Sequence, residues 1–507
     1  MLCLTFYGKF IIIIKEKRST KMKKLICIIL VLSGFVFPAA AYDGQNTLDI
    51  IYGVNAWKNE QITDSDIISE SVISNVGTNI YDWFAFSSGR LGADNIQQYQ
   101  AYNETVLDTI NENSYSVPDC ERLALCCAAC GADISDNGLL QKAVFDNFSR
   151  ENLKDKIINQ LIYALLTLDT HCYTIPENTD LTRYDIICEI LSRQKVSGAV
   201  WMMNENTPET DLTAMMITAL SPYANGGELF TFSQNNVEKS VTIRQALDNA
   251  VLYLSSAQAD DGTMINWGSS SCETTAQTII ALTTYGIDIE TDKRFIKNGN
   301  TLFDGMMTYR LENGGFAHSF DGAGNADGYA STQAMYTCVA LLRSQNGYRT
   351  LYDMQNEFTA EQAGIIQSIS NDIDKLDTAD TAKIKEILDR CVDVSVCDRR
   401  YIHNYSKLEG LLIECGIENT AAYKADELGV NSEYDYTITN LTQQINKPAK
   451  QDLNTLNNNF SRLEESMPEV PQKQYSQSRY VQTGLACICG VIAVFVLAEN
   501  RRKRNLK

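Results

Sequence analysis

A pattern that occurs three times between residues 185 and 345 constrains the fold more than any other feature of the chain. Each copy has an apolar helical run, a short loop with a glycine and an aromatic residue, and a second helix that opens in a Thr-rich turn. The first copy runs from YDIICEILSRQ through SGAVW to TPETDLTAMMITAL. The second runs from ALDNAVLYLSSAQ through DDGTMINW to SSCETTAQTIIALTTYG, and the third from TLFDGMMTYRL through ENGGFAHSF to DGYASTQAMYTCVALL. Aligning the second helices places Asp211, Glu273 and Tyr329 in one column, and Met215, Gln277 and Gln333 in another. The period of roughly 55–65 residues is one helical hairpin with its loops. An amphipathic hairpin cannot bury its apolar face alone, so such units stack or close into a ring.

The repeat region spans 45–354. IQQYQAYNETVLDTINEN and VPDCERLALCCAACGADI form a degenerate outer–inner helix pair, and KDKIINQLIYALLTLD is a further apolar helix. Five to six pairs are expected in all. Past Met354 the chain reads as polar helices with clear starts at Thr359 and at Thr378–Asp380. Residues 355–470 are expected to form a helical stalk, with 471–480 as a linker.

Both ends carry membrane signals. KMKKLICIILVLSGFVFPAAAYDG has a Lys-rich start, an apolar centre and a small-residue site at Ala39-Ala40-Ala41, which is the pattern of a secretory signal. Residues 1–41 are therefore read as leader, with Met22 as an alternative start. Val481–Ala498 is free of charge and long enough for a spanning helix. Arg501–Arg504 follow it, so the tail at 499–507 is expected in the cytoplasm and the bulk of the chain outside.

Composition excludes one class of partner. Without the basic residues of the two ends, the net charge falls from −20 to about −30, the wrong sign for nucleic acid. Eleven of the 15 cysteines lie between leader and anchor, so they do not all pair within the chain. Cys126, Cys127 and Cys130 read as small buried residues, and Cys391 and Cys397 are near enough in sequence to pair.

The segments YDWFAFSSGRLG, CERLALCCAACGADI, PETDLTAMMITALSPY, RFIKNGNTLFDG and GGFAHSFDG…STQAMY resemble the prenyltransferase/squalene-cyclase-repeat domain of Gram-positive bacterial surface proteins. The resemblance implies an all-α fold, an α/α toroid of inner and outer helices followed by the stalk and one transmembrane helix. The same fold serves terpene cyclases, protein prenyltransferase β subunits and the vitamin B12 carriers. The cyclase DxDD acid run is absent, and Asp260-Asp261 sits in a loop. The zinc pattern of the prenyltransferases is absent too: His171, His318 and His403 are the only histidines. No catalytic or metal-ligating residue is assigned.

In a toroid the inner-helix N-termini gather at one mouth, where backbone N–H groups favour an anionic or amide-bearing ligand. Asp211, Glu273, Gln277, Tyr329 and Gln333 are the expected binding residues there. Trp201, Trp267 and Phe316 are expected as apolar walls, with Asp82, Trp83 and Arg122 contributed by earlier pairs. Thr207-Pro208-Glu209 reads as a helix start with Pro in the first turn. Thr213, Thr275 and Ser331 read as packing and capping residues. The expected function is non-catalytic small-molecule binding on a membrane-anchored extracellular protein. By likeness to the B12 carriers the ligand is a corrinoid, and a membrane transporter or other surface protein is the expected partner. The alternatives are an enzyme on prenyl or lipid substrates, and an adhesion or scaffold protein with a filled ring.

Overall fold

The computed structural model describes residues 3–6, 9–12, 44–59, 66–202, 207–319, 324–429 and 437–442. The cleavage site expected at 39–41, the apolar run at 481–498 and the basic tail lie outside the described residues. Among the described residues no helix is long and apolar enough to cross a membrane. A short antiparallel pair, β1 (Cys3–Phe6) and β2 (Lys9–Ile12), occupies the start of the chain.

From Gly44 the chain alternates outer and inner elements. Outer α1 (Gly44–Lys58) and the short α2 (Glu70–Ser74) lead into inner α3 (Asn79–Leu91). Outer α4 (Ile96–Glu112) leads into inner α5 (Val117–Ala129), and a single wide turn at Gln141–Phe145 into inner α6 (Ile158–Asp169). Outer α7 (Arg183–Ser192) precedes inner α8 (Thr210–Leu220). The last two pairs are α9 (Ile243–Ala257) with α10 (Cys272–Thr284), and α11 (Leu302–Met307) with α12 (Gly328–Gln345). Each inner helix touches the next in this order, and α12 touches α3 and α1, which closes a ring of six.

Side-chain character explains the two layers. Outer α9 buries Ile243, Ala246, Leu247, Ala250, Val251 and Leu254, one stripe at helical spacing. Inner α10 is buried from Thr274 through Leu282, with Thr, Ala and Gln among its aliphatic residues. Small residues let inner helices approach one another, and Cys126, Cys127 and Cys130 of the α5 segment are buried in this role.

The three repeats share one loop geometry in atomic detail. The loop glycines Gly198, Gly262 and Gly314 have φ of 92°, 88° and 94°. Each lies against a following outer element: a Cβ would stand 2.1 Å from the Asn249 carbonyl, 2.2 Å from that of Thr301 and 2.4 Å from that of Gly53. Gly53 belongs to α1, so the third loop docks on the first helix and helps close the ring. Two residues on, the backbone N–H groups of Val200, Met264 and Phe316 donate to the hydroxyls of Thr213, Thr275 and Ser331 at 3.0, 3.0 and 2.9 Å. These three hydroxyls are the packing residues the sequence suggested.

Two local expectations are corrected. Helix α8 begins at Thr210 with Glu209 as its N-cap, so Pro208 lies outside its first turn. Glu209 is held extended because its N–H donates to the Val200 carbonyl at 2.9 Å. A hairpin of β3 (Leu229–Gln234) and β4 (Val237–Thr242) interrupts the helical pattern, turning at Asn235 and Asn236 with φ of 53° and 63°. Asn-Asn at positive φ suits the tight primed turn such hairpins need. A smaller hairpin pairs β5 (Met264–Asn266) with β6 (Ser269–Ser271).

Beyond the ring, α13 (Ala360–Asp374), α14 (Thr381–Val392) and α15 (Tyr405–Cys415) enclose a separate core around Ile369, Ile373, Ile384, Ile387 and Leu408. Thr359 and Asp380 cap the first two, as their sequence positions suggest. This three-helix module is fastened to the ring by charge. Asp353 takes Arg349 at 3.2 Å, Arg400 at 2.8 Å and the Tyr401 hydroxyl at 2.8 Å, while Arg349 also meets Asp398 at 2.7 Å. Arg244 of α9 meets Glu409 of α15 at 2.8 Å.

Candidate functional site

Loop-to-helix contacts bring the N-termini of the inner helices to one mouth. The Asn266 side chain, from the hairpin before α10, accepts from the Thr210 N–H and donates to Asp211 at the start of α8, both at 3.1 Å. The Cys272 N–H that opens α10 donates to the His318 carbonyl before α12 at 3.0 Å. Gly328 at the start of α12 lies against Ile80 at the start of α3.

Asp211 and Glu273 lie in the first turns of α8 and α10, and Gln277 and Gln333 lie one turn further along α10 and α12. Glu273 faces His318, with Nδ1 at 2.9 Å from each carboxylate oxygen. The Gln277 amide donates to Gln333 at 3.0 Å and to the Tyr336 hydroxyl at 2.8 Å. Tyr329 is 47% exposed and Trp267 is 68% exposed. Trp267 sits at the tip of the small hairpin with φ of 52°, followed by Gly268 at 83°. A bulky residue at positive φ is uncommon, and here its indole is left exposed to solvent.

Burial sets the electrostatics. Desolvation raises the carboxyls of Asp211 and Glu273 above their ordinary range, against the pull of Asn266 on the first and His318 on the second. Glu209, next to Asp211, is pushed up to about 7 by burial and then by the Asp211 charge. Deeper on α5, both Glu121 carboxylate oxygens are buried without a hydrogen-bond partner, and desolvation holds this side chain well above the carboxylate range. Burial thus favours its neutral form.

Aromatic rings form the floor under this polar layer. Trp83 meets Tyr163 of α6 at 6.4 Å and Tyr336 of α12 at 5.3 Å between centroids. Helices α6 and α12 stand opposite one another in the ring, so Trp83 bridges its axis. Phe86 and Tyr352 extend the cluster. Trp83, expected as a contribution to the mouth from an earlier pair, is thus part of this floor.

Four other expected residues are placed elsewhere. Asp82 is fully buried and turned toward α4 and α5, where it takes Arg122 at 3.0 Å, the Tyr102 hydroxyl at 2.9 Å and the Gly77 N–H at 3.2 Å. It joins helices and does not line the mouth, and Arg122 goes with it. Phe316 is 0% exposed and belongs to the core, because its loop position matches Val200 and Met264. Trp201 is half-buried beneath the Arg193 guanidinium of the outer layer, 5.8 Å from its ring. Glu209, Asn266 and His318 are site residues that sequence reasoning did not select. The Glu-x-Asp spacing in TPETDL was the available signal for the first.

Among the described residues no cluster of three His, Cys, Asp or Glu is placed to hold a metal ion. A separate recess of about 1030 Å³ opens at the other end of the ring, between α10, α12 and the three-helix module, lined by Tyr285, Tyr348, Phe358, Tyr401 and His403.

No family model matches the chain, and no curated protein is similar to it. Among solved structures it is similar to the unsaturated glucuronyl hydrolase of Bacillus sp. GL1, responsible for the degradation of glycosaminoglycan. That likeness has 11% identity, covers 62% of this chain and 99% of that one, and has a TM-score of 0.41. A second structure, described as a UGL variant with dGlcA-Glc-Rha-Glc, gives 10% identity, the same coverage of 62% and 99%, and a TM-score of 0.39. The contacts of each inner helix with the next, and of α12 with α3, close the ring.

Proposed function

We propose that the inner-helix mouth binds a polyhydroxylated small molecule, a saccharide, on a protein held at the cell surface by its C-terminal apolar run. The observation that carries this reading is the layering of the mouth: carboxyls and amides above an aromatic floor, with an exposed indole at the rim. Carboxyls accept hydroxyl protons, and the Gln and Asn amides both donate and accept, the mixture a polyol requires. The flat face of Trp267 supplies apolar contact for the C–H face of a sugar ring. Ligand sites of this kind pair a few convergent polar groups with aromatic surface.

The same chemistry counts against a prenyl chain. An isoprenoid seated here would strip water from the carboxyls of Asp211 and Glu273, which keep only Asn266 and His318 as side-chain partners, at a cost of about 1–3 kcal/mol for each group left under-satisfied. The corrinoid implied by likeness to the B12 carriers is the weaker reading, since its macrocycle would have to enter an axis occupied by Trp83, Tyr163 and Tyr336. The scaffold alternative accounts for that filled axis and leaves the exposed Trp267 without a role.

A second reading, hydrolysis of the bound saccharide, is favoured by Glu209 and Asp211. Two adjacent acids, one holding its proton to about pH 7, are the starting point for general acid–base chemistry. The test is a glycan array probed with the full-length chain and with Asp211→Asn and Glu273→Gln. Selective binding that both variants lose by tenfold or more supports the site, and array-wide silence counts against it. Released reducing ends, abolished in Glu209→Gln while binding persists, would favour the hydrolase.

A further inference from the structure

The recess between the ring and the three-helix module is a second cavity, apart from the mouth. Its volume of about 1030 Å³ stands at the upper end of the usual range for small-molecule sites. Ring and module approach one another at two points of its wall. Arg244 meets Glu409 at 2.8 Å, and a Cβ on Gly286, in the turn after α10, would stand 3.6 Å from the His403 imidazole. Half-buried rings line it from both sides, Tyr285 and Tyr348 from the ring and Phe358 and Tyr401 from the module. The polar groups of the wall divide by side. On the ring side, Asp248 and Glu290 enter no ion pair among the described residues, and Oε1 of Glu290 is buried without a hydrogen-bond partner. Asp248 accepts the Tyr285 hydroxyl at 3.0 Å. The C-terminal ends of α10 and α12 also open onto the recess, and helix C-termini carry partial negative charge. The arginines of that side are already paired, Arg244 with Glu409 and Arg294 with Asp292. On the module side, the Arg400 side chain is 9% exposed and meets Asp353 at 2.8 Å, yet its Nε is buried without a hydrogen-bond partner. His403 bonds through its backbone N–H, to Ser370 at 3.0 Å, and its imidazole has no partner among the described residues.

We propose that this recess binds a short peptide with free ends, its amino group toward Asp248 and Glu290 and its carboxylate toward Arg400 and His403. An ammonium group is all donor, which matches carboxyl oxygens and the carbonyls of helix ends. A carboxylate is all acceptor, which matches the unused Nε–H of Arg400 and an imidazole N–H. The ring faces between the two ends suit apolar side chains. A ligand of one charge would answer one side of the wall and leave the other unmet. A single amino acid would leave most of the volume empty. A neutral saccharide would satisfy hydrogen bonds but make no use of the division between acidic and basic sides. Because ring and module each supply one wall, a bound peptide bridges them. The recess lies at the opposite end of the ring from the mouth, so this inference stands apart from the saccharide reading.

The test is titration calorimetry of the full-length chain with unprotected tetrapeptides, Ala-X-X-Ala with X as Ala, Leu or Phe. At least one should bind with one-to-one stoichiometry. N-acetylation and C-terminal amidation should each weaken it by about fivefold or more, the worth of one charge-assisted hydrogen bond. Glu290→Gln should shrink the effect of acetylation, and His403→Ala the effect of amidation. Ser344 is exposed on the last turn of α12 and lines the recess. Ser344→Trp should therefore fill the cavity and abolish binding, with an unchanged circular dichroism spectrum. Trp267→Ala, at the mouth, should leave peptide binding intact, so the two sites fail or stand separately. Silence across the whole panel overturns the inference. So does peptide binding that survives Ser344→Trp, equal affinity for free and capped peptides, or a recess that takes cellotetraose in place of every peptide.

Discussion

Replacing Gly262 by Ala probes the contact that sets the spacing of the repeats. The residue has φ of 88°, where an L side chain is strained by about 1–2 kcal/mol. Its new Cβ would stand 2.2 Å from the Thr301 carbonyl and 3.1 Å from the Gly305 nitrogen. Both obstacles are backbone, so relief requires shifting α11 against the loop, at about 1–3 kcal/mol more. The expected loss is about 2–5 kcal/mol. Gly268 is the control: its φ of 83° carries the same conformational strain, yet a Cβ there meets nothing within 4 Å. Gly268→Ala should cost about 1–2 kcal/mol. Urea unfolding followed by circular dichroism measures both, with an unchanged m-value as the sign that unfolding remains comparable. Gly198→Ala and Gly314→Ala should behave like Gly262→Ala. Equal losses at Gly262 and Gly268 would refute the claim that loop-to-helix contact, rather than loop conformation alone, holds the ring.

Three further outcomes follow from the site and its supports. Asp82→Ala strips a buried carboxylate from Arg122, Tyr102 and Gly77, so it should cost about 3–5 kcal/mol in unfolding experiments and leave the ligand affinity of the folded fraction unchanged. Glu209 is held at about 7 against an ordinary value of 4.5; because its folded value is the higher, the folded state binds the proton more tightly. Its contribution is fully present below about pH 4.5 and is lost as pH rises to about 7, so melting curves of wild type minus Glu209→Gln should decline across that window and be flat above it. His171 is buried neutral, its pKa lowered to about 4 by desolvation. Its contribution runs the other way, present above its ordinary value and lost as pH falls, and His171→Gln should therefore hold its melting temperature better than wild type on acidification from pH 6.5 to 4.

The ring was legible because its repeat is long and its signals agree. Helix starts at Thr242 and Thr301 in the ring, like Thr359 in the three-helix module, carry side-chain caps, and Gln277 and Gln333, which share a column of the aligned repeats, meet at 3.0 Å. Phe316 was misplaced because aromatic character was weighed over register. Counting two residues from the loop glycine puts it with Val200 and Met264, both buried. The β3–β4 hairpin was also readable in LFTFSQNNVEKSVT, where Phe230 and Phe232 alternate with polar residues and Asn235-Asn236 marks the turn. Asp82 was harder. Its place near a helix start was plain, but which neighbour it faces depends on helix rotation, and that is fixed by Arg122 and Tyr102, 40 and 20 residues away. His318 gave no signal of its own, since its partner Glu273 lies 45 residues earlier in another repeat.

A saccharide bound at a mouth rimmed by Trp267 would report its binding through that indole. The most direct measurement is tryptophan fluorescence of the full-length chain titrated with a panel of neutral and acidic oligosaccharides, run in parallel on Trp267→Ala. Trp267 is 68% exposed, whereas Trp83 is buried and Trp57 and Trp201 are half-buried, so a ligand stacking on the rim reports mainly through this one indole. A saccharide site at the mouth should give a saturable shift with at least one oligosaccharide, with affinity reduced tenfold or more in Trp267→Ala at an unchanged melting temperature. Binding that is as tight in Trp267→Ala, or no saturable response to any member of the panel, would contradict it.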